Sequence, residues 1–205
     1  MTADRSELSD TKRKNVTGIV MAGGKSLRMG VDKGLLVYQG KPMVTYSIDI
    51  LSALCSRVVI SSSTPDYEVF NLETIPDIYP GSGPLGGLYS CMAQSETEGN
   101  ICLPCDLPFM KLHIIDQLLQ AFDGTRCVVP LTPLPEPLVA VYPLTVLPVV
   151  KHLIENKKYK MTAIYEHFPV KYLSLKDFKG ENILASFANI NSPGDINSSN
   201  ENNLR

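Results

Sequence analysis

The stretch Val16-Thr17-Gly18-Ile19-Val20-Met21-Ala22-Gly23-Gly24-Lys25-Ser26-Leu27-Arg28-Met29-Gly30-Val31-Asp32-Lys33 decides how the rest of the chain is read. Its first seven residues form a short, nearly continuous apolar run, as expected of a strand covered on both faces. A glycine-rich, basic loop follows. Two successive glycines let backbone N–H groups turn toward one point, and Lys25, Arg28 and Lys33 in the same loop point to an anion. A triphosphate satisfies that geometry, with amides and Arg28 at one end and Lys33 at the other. A turn that merely needs glycine, with solvated cations, explains a lone Gly-Gly pair. It does not explain the whole segment behind a buried strand.

Three familiar patterns come close and fail. A P-loop needs Gly, four residues, then Gly-Lys-Ser/Thr. Four residues separate Gly18 from Gly23, but Gly24 follows where the lysine should stand, and Gly18 belongs inside the strand. Gly81-Ser82-Gly83-Pro84-Leu85-Gly86 fits the dinucleotide string G-x-G-x-x-G, yet it lies deep in the chain and contains Pro84. It reads as a ligand-facing loop of another kind. Cys102-Leu103-Pro104-Cys105 has redox spacing, but its first thiol falls within a strand instead of at a helix N-terminus. No second pair or spaced histidine completes a zinc site.

Outward from the loop, apolar runs alternate with amphipathic stretches. Arg57–Ser61, Thr74–Tyr79, Asn100–Cys105, Cys127–Val129, Leu138–Tyr142, Val170–Leu175 and Phe187–Ile190 read as strands. Helices are expected from Pro42 to Leu54, and over 85–94, 112–122, 146–155 and 161–167. The pattern predicts an α/β fold: a single-domain, Rossmann-like three-layer sandwich with a mostly parallel central sheet over 16–195. The polar ends, 1–15 and 196–205, are expected to be disordered tails. Parallel sheets bind ligands outside the carboxyl ends of their strands, where both Gly23 and Asp106 fall.

Composition narrows the class. The chain has 205 residues, 44% of them hydrophobic, with 19 Lys+Arg against 21 Asp+Glu. That length supports one core without staples. A net charge of −2 gives no footprint for nucleic acid or an anionic membrane surface. No apolar run approaches the ~18 residues of a spanning helix. The polar N-terminus and the odd count of five cysteines lead to the expectation of a cytoplasmic protein with reduced thiols.

Ala22-Gly23-Gly24-Lys25-Ser26-x-Arg28-Met29-Gly30-x-Asp32-Lys33 resembles the nucleotidyltransferase signature, and more narrowly that of the molybdenum cofactor guanylyltransferase family. Four further segments fit in order: Gly83–Gly87, Pro104–Phe109, Glu136–Tyr142 and Asn189–Asp195. The turn before Glu136 departs from the family, reading Leu131-Thr132-Pro133-Leu134-Pro135 where relatives carry Gly and a basic residue. The resemblance implies transfer of GMP from GTP to molybdopterin, with Mg²⁺ as cofactor. It implies nucleotide contacts by Met21, Ala22, Gly23, Gly24, Ser61, Asp77 and Gly83. Arg28, Lys33 and Asp106 become catalytic, and Lys33 and Asp106 also contact the nucleotide. Asp106 is the metal ligand, and Asn189 and Asn191 bind the acceptor or complete the metal site.

The residues support that chemistry independently. Nucleotidyl transfer is an in-line attack by an acceptor phosphate on the α-phosphate, expelling pyrophosphate. It needs positioning and charge neutralisation, not a covalent nucleophile. Mg²⁺ is typically held by one or two carboxylates plus phosphate oxygens and waters, which suits a lone Asp106 at a strand end. Asp77, after Pro76, is either a turn residue or an acceptor for guanine's N1–H and amino group. Three alternatives stay open: another base or acceptor, such as CTP with molybdopterin or a sugar phosphate; a thiol redox or metal module at Cys102 and Cys105; and a catalytically silent regulator that binds GTP without releasing pyrophosphate.

Overall fold

The computed structural model describes residues 15–23 and 32–190. In chain order its strands are β1 (Val16–Met21), β2 (Val37–Tyr38), β3 (Lys41–Pro42), β4 (Arg57–Ser61), β5 (Glu73–Ile75), β6 (Gly99–Pro104), β7 (Cys127–Leu131), β8 (Val141–Pro143) and β9 (Val170–Ser174). The helices are α1 (Val44–Leu54), α2 (Pro84–Met92), α3 (Leu112–Ala121) and α4 (Leu147–Glu155). Seven strands form one sheet in the order β5-β4-β1-β6-β8-β7-β9. Only β8 runs antiparallel to its neighbours, so the sheet is mostly parallel, as expected.

The alternation along β1 explains the three layers. Val16 and Val20 join Ile60, Leu51 and Leu118 on the face covered by α1 and α3. Ile19 and Met21 join Val59, Leu88 and Leu153 on the face covered by α2 and α4. Successive strand side chains point to opposite faces, so a strand inside a sandwich has no polar side to show. Gly18 lies within β1, where a Cβ would come 2.9 Å from Leu51 Cβ. The missing side chain lets α1 lie close to the sheet. Filling that gap separates the layers, which is why this glycine belongs to the strand.

Several boundaries differ from the sequence expectation. Pro42 does not open α1; it ends a small hairpin formed by β2 and β3 around Gln39 and Gly40, both at positive φ. Such a turn matches the twist of paired strands. β5 stops at Ile75, because Pro76 has no N–H to extend a ladder. Residues 161–166 wind as a 3-10 turn instead of an α-helix. Residues 188–190 are not a strand: a 3-10 turn, Leu184–Phe187, leads into an extended tail. Among the described residues no helix is long and apolar enough to cross a membrane.

Candidate active site

At the carboxyl edge of the parallel half, a cleft of about 260 Å³ is lined by Met21, Ala22 and Gly23, by Asp32 and Lys33, and by Asp106. The sheet brings these together through two hydrogen bonds beyond its regular ladders. The Ala22 N–H donates to the Ser61 carbonyl (3.1 Å), and the Cys105 N–H donates to the Met21 carbonyl (3.2 Å). The chain therefore leaves β1 and β6 side by side, with Gly23 next to Asp106. The Asp106 carbonyl accepts the Ile190 N–H at 3.0 Å, which holds Asn189 at the cleft as well.

Lys33 Nζ stands 3.9 Å from Asp106 Oδ2, and the aspartate side chain is only 19% exposed. Burial pushes the Asp106 carboxyl above its ordinary range, while Lys33 and a backbone hydrogen bond pull the other way. Burial prevails. Asp32 caps the 3-10 turn Lys33–Leu35, its carboxylate accepting the Gly34 N–H at 3.0 Å.

A second corner adjoins the cleft where α2 begins. A Cβ on Gly87 would collide with Ser61 Oγ and come 3.2 Å from Met21 Cε and 3.5 Å from Asp77 Oδ1. Ser61, Asp77 and Met21 thus converge on one bare stretch of helix backbone. Gly83 precedes Pro84 at φ +61°, a left-handed conformation that favours glycine and turns the chain into α2. Burial raises the Asp77 carboxyl above its ordinary range too. Asp77, Ser61 and Gly83 do not line the main cleft, whereas Met21 belongs to both places.

Of the residues expected at the site, Met21, Ala22, Gly23, Lys33, Asp106 and Asn189 line the cleft. Gly24, Arg28 and Asn191 lie outside the described residues. The sequence reading missed Asp32 and Glu136 as cleft residues. Asp32 had a signal, standing beside Lys33 in the loop string. Glu136 had one as well, a lone charge inside the run Leu131 to Val141; Thr132 Oγ1 donates to its carboxylate and holds it in the turn.

Asp106 offers oxygen donors of the kind a hard divalent cation takes. Among the described residues no group of three or more His, Cys, Asp or Glu converges as a metal cage. One half-buried carboxylate, to be completed by phosphate oxygens and water, fits Mg²⁺ and does not fit a structural zinc. The thiols do not compete. Cys102 packs on the α2/α4 face with Cys91 and Cys127, whereas Cys105 packs on the α1/α3 face. All five cysteines are free, and burial pushes the Cys105 thiol up to about 12. Two thiols on opposite faces of a sheet cannot form a redox pair.

Residues 18–178 match the family described as the MobA-like NTP transferase domain. A Flavobacterium johnsoniae protein named probable molybdenum cofactor guanylyltransferase is 29% identical over 191 residues, covering 92% of this chain and 98% of its own. A Halalkalibacterium halodurans protein of the same name is 30% identical over 189 residues, covering 87% and 94%. The solved structure of molybdopterin-guanine dinucleotide biosynthesis protein A from Archaeoglobus fulgidus matches with a TM-score of 0.76 at 23% identity, covering 92% of this chain and 98% of that one. That likeness is one of fold.

Proposed function

The chain belongs to the MobA-like NTP transferase family, and from that premise we propose that it transfers GMP from GTP to molybdopterin, releasing pyrophosphate. The observation that carries this reading is the convergence of the β1 end, Lys33 and Asp106 on one cleft, with Lys33 Nζ 3.9 Å from Asp106 Oδ2. A cation and an anion side by side, against exposed backbone, suit a phosphate chain with its counter-ion.

In this reading the backbone of Met21, Ala22 and Gly23 lies along the nucleotide, completed by Gly24 and Arg28. Lys33 holds the phosphates in line and offsets the negative charge that develops on the leaving pyrophosphate. Asp106 holds Mg²⁺, which when bound supplies further neutralisation between the α-phosphate and the leaving group. Asp77 accepts from guanine's N1–H and amino group, with Ser61 and Gly83 shaping that corner. Asn189 and Asn191 face the acceptor, whose phosphate oxygen attacks the α-phosphorus as the bond to pyrophosphate breaks. The five free thiols suit a reducing compartment, and we place the reaction in the cytoplasm.

The test is pyrophosphate release from GTP, CTP, ATP and UTP, with molybdopterin as acceptor, with and without Mg²⁺. Release with GTP and Mg²⁺, coupled to formation of the guanine dinucleotide, supports the reading. Release with CTP instead assigns the other base, and none with any nucleotide overturns transfer altogether.

A further inference from the structure

Tyr67 is fully buried, yet its hydroxyl is not spent on the core. It lies in the 3-10 segment Pro65–Phe70 after β4 and reaches Asp32, 35 residues away in sequence, donating to Oδ1 at 2.6 Å. The same Oδ1 accepts the Gly34 N–H at 3.0 Å, the bond that caps the Lys33–Leu35 turn. A phenylalanine would fill the same volume. The hydroxyl is therefore committed to a carboxylate that lines the cleft, through a charge-assisted bond stronger than a neutral one. Burial, with the acidic neighbours next, pushes the phenol far above its ordinary range, so it remains a donor.

The packing around Gly34 shows what is being held. A Cβ at Gly34 would collide with Tyr67 Oη and come 3.2 Å from Cys105 Sγ. The turn that carries Lys33 is thus pressed between the phenol and the residue that precedes Asp106. Lys33 and Asp106 approach the cleft from segments far apart in the chain, and this contact fixes one against the other.

We infer that Tyr67 and Asp32 are positioning residues for nucleotidyl transfer, acting through Lys33: the phenol orients Asp32, and Asp32 orients the turn that aims the ammonium. The inference rests on the transfer reading given above. Without the phenol, Oδ1 keeps only the Gly34 amide among the described residues, and the turn and its lysine lose their fixed direction. Misplacement of a charge aimed at the transition state lowers turnover more than it weakens binding.

The experiment is a double-mutant cycle on full-length enzyme, reading kcat and KM for GTP at saturating Mg²⁺. Tyr67→Phe is expected to lower kcat about tenfold with KM for GTP little changed. In a Lys33→Ala background the same substitution should lower kcat by less than twofold, because the group it positions is gone. Equal losses in both backgrounds would make Tyr67 a packing residue and overturn the inference. Asp32→Asn keeps an oxygen that can accept both bonds, so it should lose several-fold less activity than Asp32→Ala. Equal losses there would mean that the charge of Asp32 acts directly, which also overturns it. A wild-type enzyme inactive with every nucleotide would instead bring down the transfer reading, and this inference with it.

Discussion

Two carboxylates stand at the carboxyl edge of the sheet, and they are raised by the same cause yet serve different surroundings. Asp106 follows β6, faces the cleft and has Lys33 3.9 Å away. Asp77 follows β5, faces the start of α2 beside Ser61, and lies outside the main cleft. Burial lifts both above the ordinary carboxylate range, but only at Asp106 does a lysine pull back. The difference teaches how a parallel sheet divides labour along one edge. In the proposed transfer, the strands nearest its centre would put charge where phosphates and a cation meet, and the outer strand would offer an acceptor to the base.

The largest expected effect breaks the Asp106 side. Asp106→Asn keeps the shape but removes the charge that would hold Mg²⁺ in the proposed transfer, so turnover should fall by at least about a hundredfold. The same variant should unfold at an equal or higher temperature than wild type, because it no longer buries a carboxylate whose ionised form is disfavoured. Steady-state transfer and a thermal melt check both halves; a destabilised variant would make Asp106 a structural residue. Lys33→Ala should cost a comparable factor in kcat, about a hundredfold, without a change in base preference.

Asp77→Ala comes next and acts on the other side. If the base covers the half-buried Asp77 carboxylate as proposed, the wrong base leaves it unpaired, so this variant should weaken GTP by tenfold or more relative to CTP. Competition between the two nucleotides reads that ratio directly. An unchanged ratio would move base recognition to the loop Gly81 to Gly87.

A smaller effect is written in the pH profile. If Asp106 holds Mg²⁺ as proposed, it must be ionised to do so, and burial raises its pKa, so the acid limb of kcat/KM should lie above the ~4 of an exposed carboxylate. More Mg²⁺ should push that limb toward acid, since metal and proton compete for one group. For the unliganded fold the sign runs the other way: stability should rise as pH falls into that window, because the folded chain binds the proton more tightly than the unfolded one. Profiles at two Mg²⁺ concentrations that superimpose would contradict the assignment. The smallest effect on catalysis belongs to Cys102→Ala, which should cost about 1–2 kcal/mol of stability through lost packing and leave turnover near wild type. Titration with denaturant and a transfer assay separate the two.

The sequence made the central parallel strands easy to read and the segments packed around them harder. β1, β4 and β6 are covered on both faces, so their apolar runs are nearly continuous and stop where the chemistry starts, at Gly23 and Asp106. Ile190 looked like strand because it is apolar and buried. Its N–H instead meets the Asp106 carbonyl and its side chain packs with Tyr38 and Met43, tertiary contacts with no periodicity behind them. Pro42 looked like a helix start because proline suits that position, but the Gln39-Gly40 turn claimed it first. The bond between Tyr67 and Asp32 leaves no local trace at all, because it depends on how the Pro65–Phe70 segment and the turn Lys33–Leu35 meet in space.

The central claim is that the Asp106 side handles charge and the Asp77 side handles the base. It is tested most directly by ligand-induced thermal shifts of wild type, Asp106→Asn and Asp77→Ala with GTP and CTP, each with and without Mg²⁺. A ligand at a hundredfold excess over Kd adds about 2.7 kcal/mol of stability, well within reach of such a measurement. Asp106→Asn should lose the Mg²⁺-dependent part of the GTP shift and keep the preference for GTP over CTP. Asp77→Ala should keep the Mg²⁺ dependence and lose the preference. Both variants losing both properties, or either losing the one assigned to the other, would contradict the division.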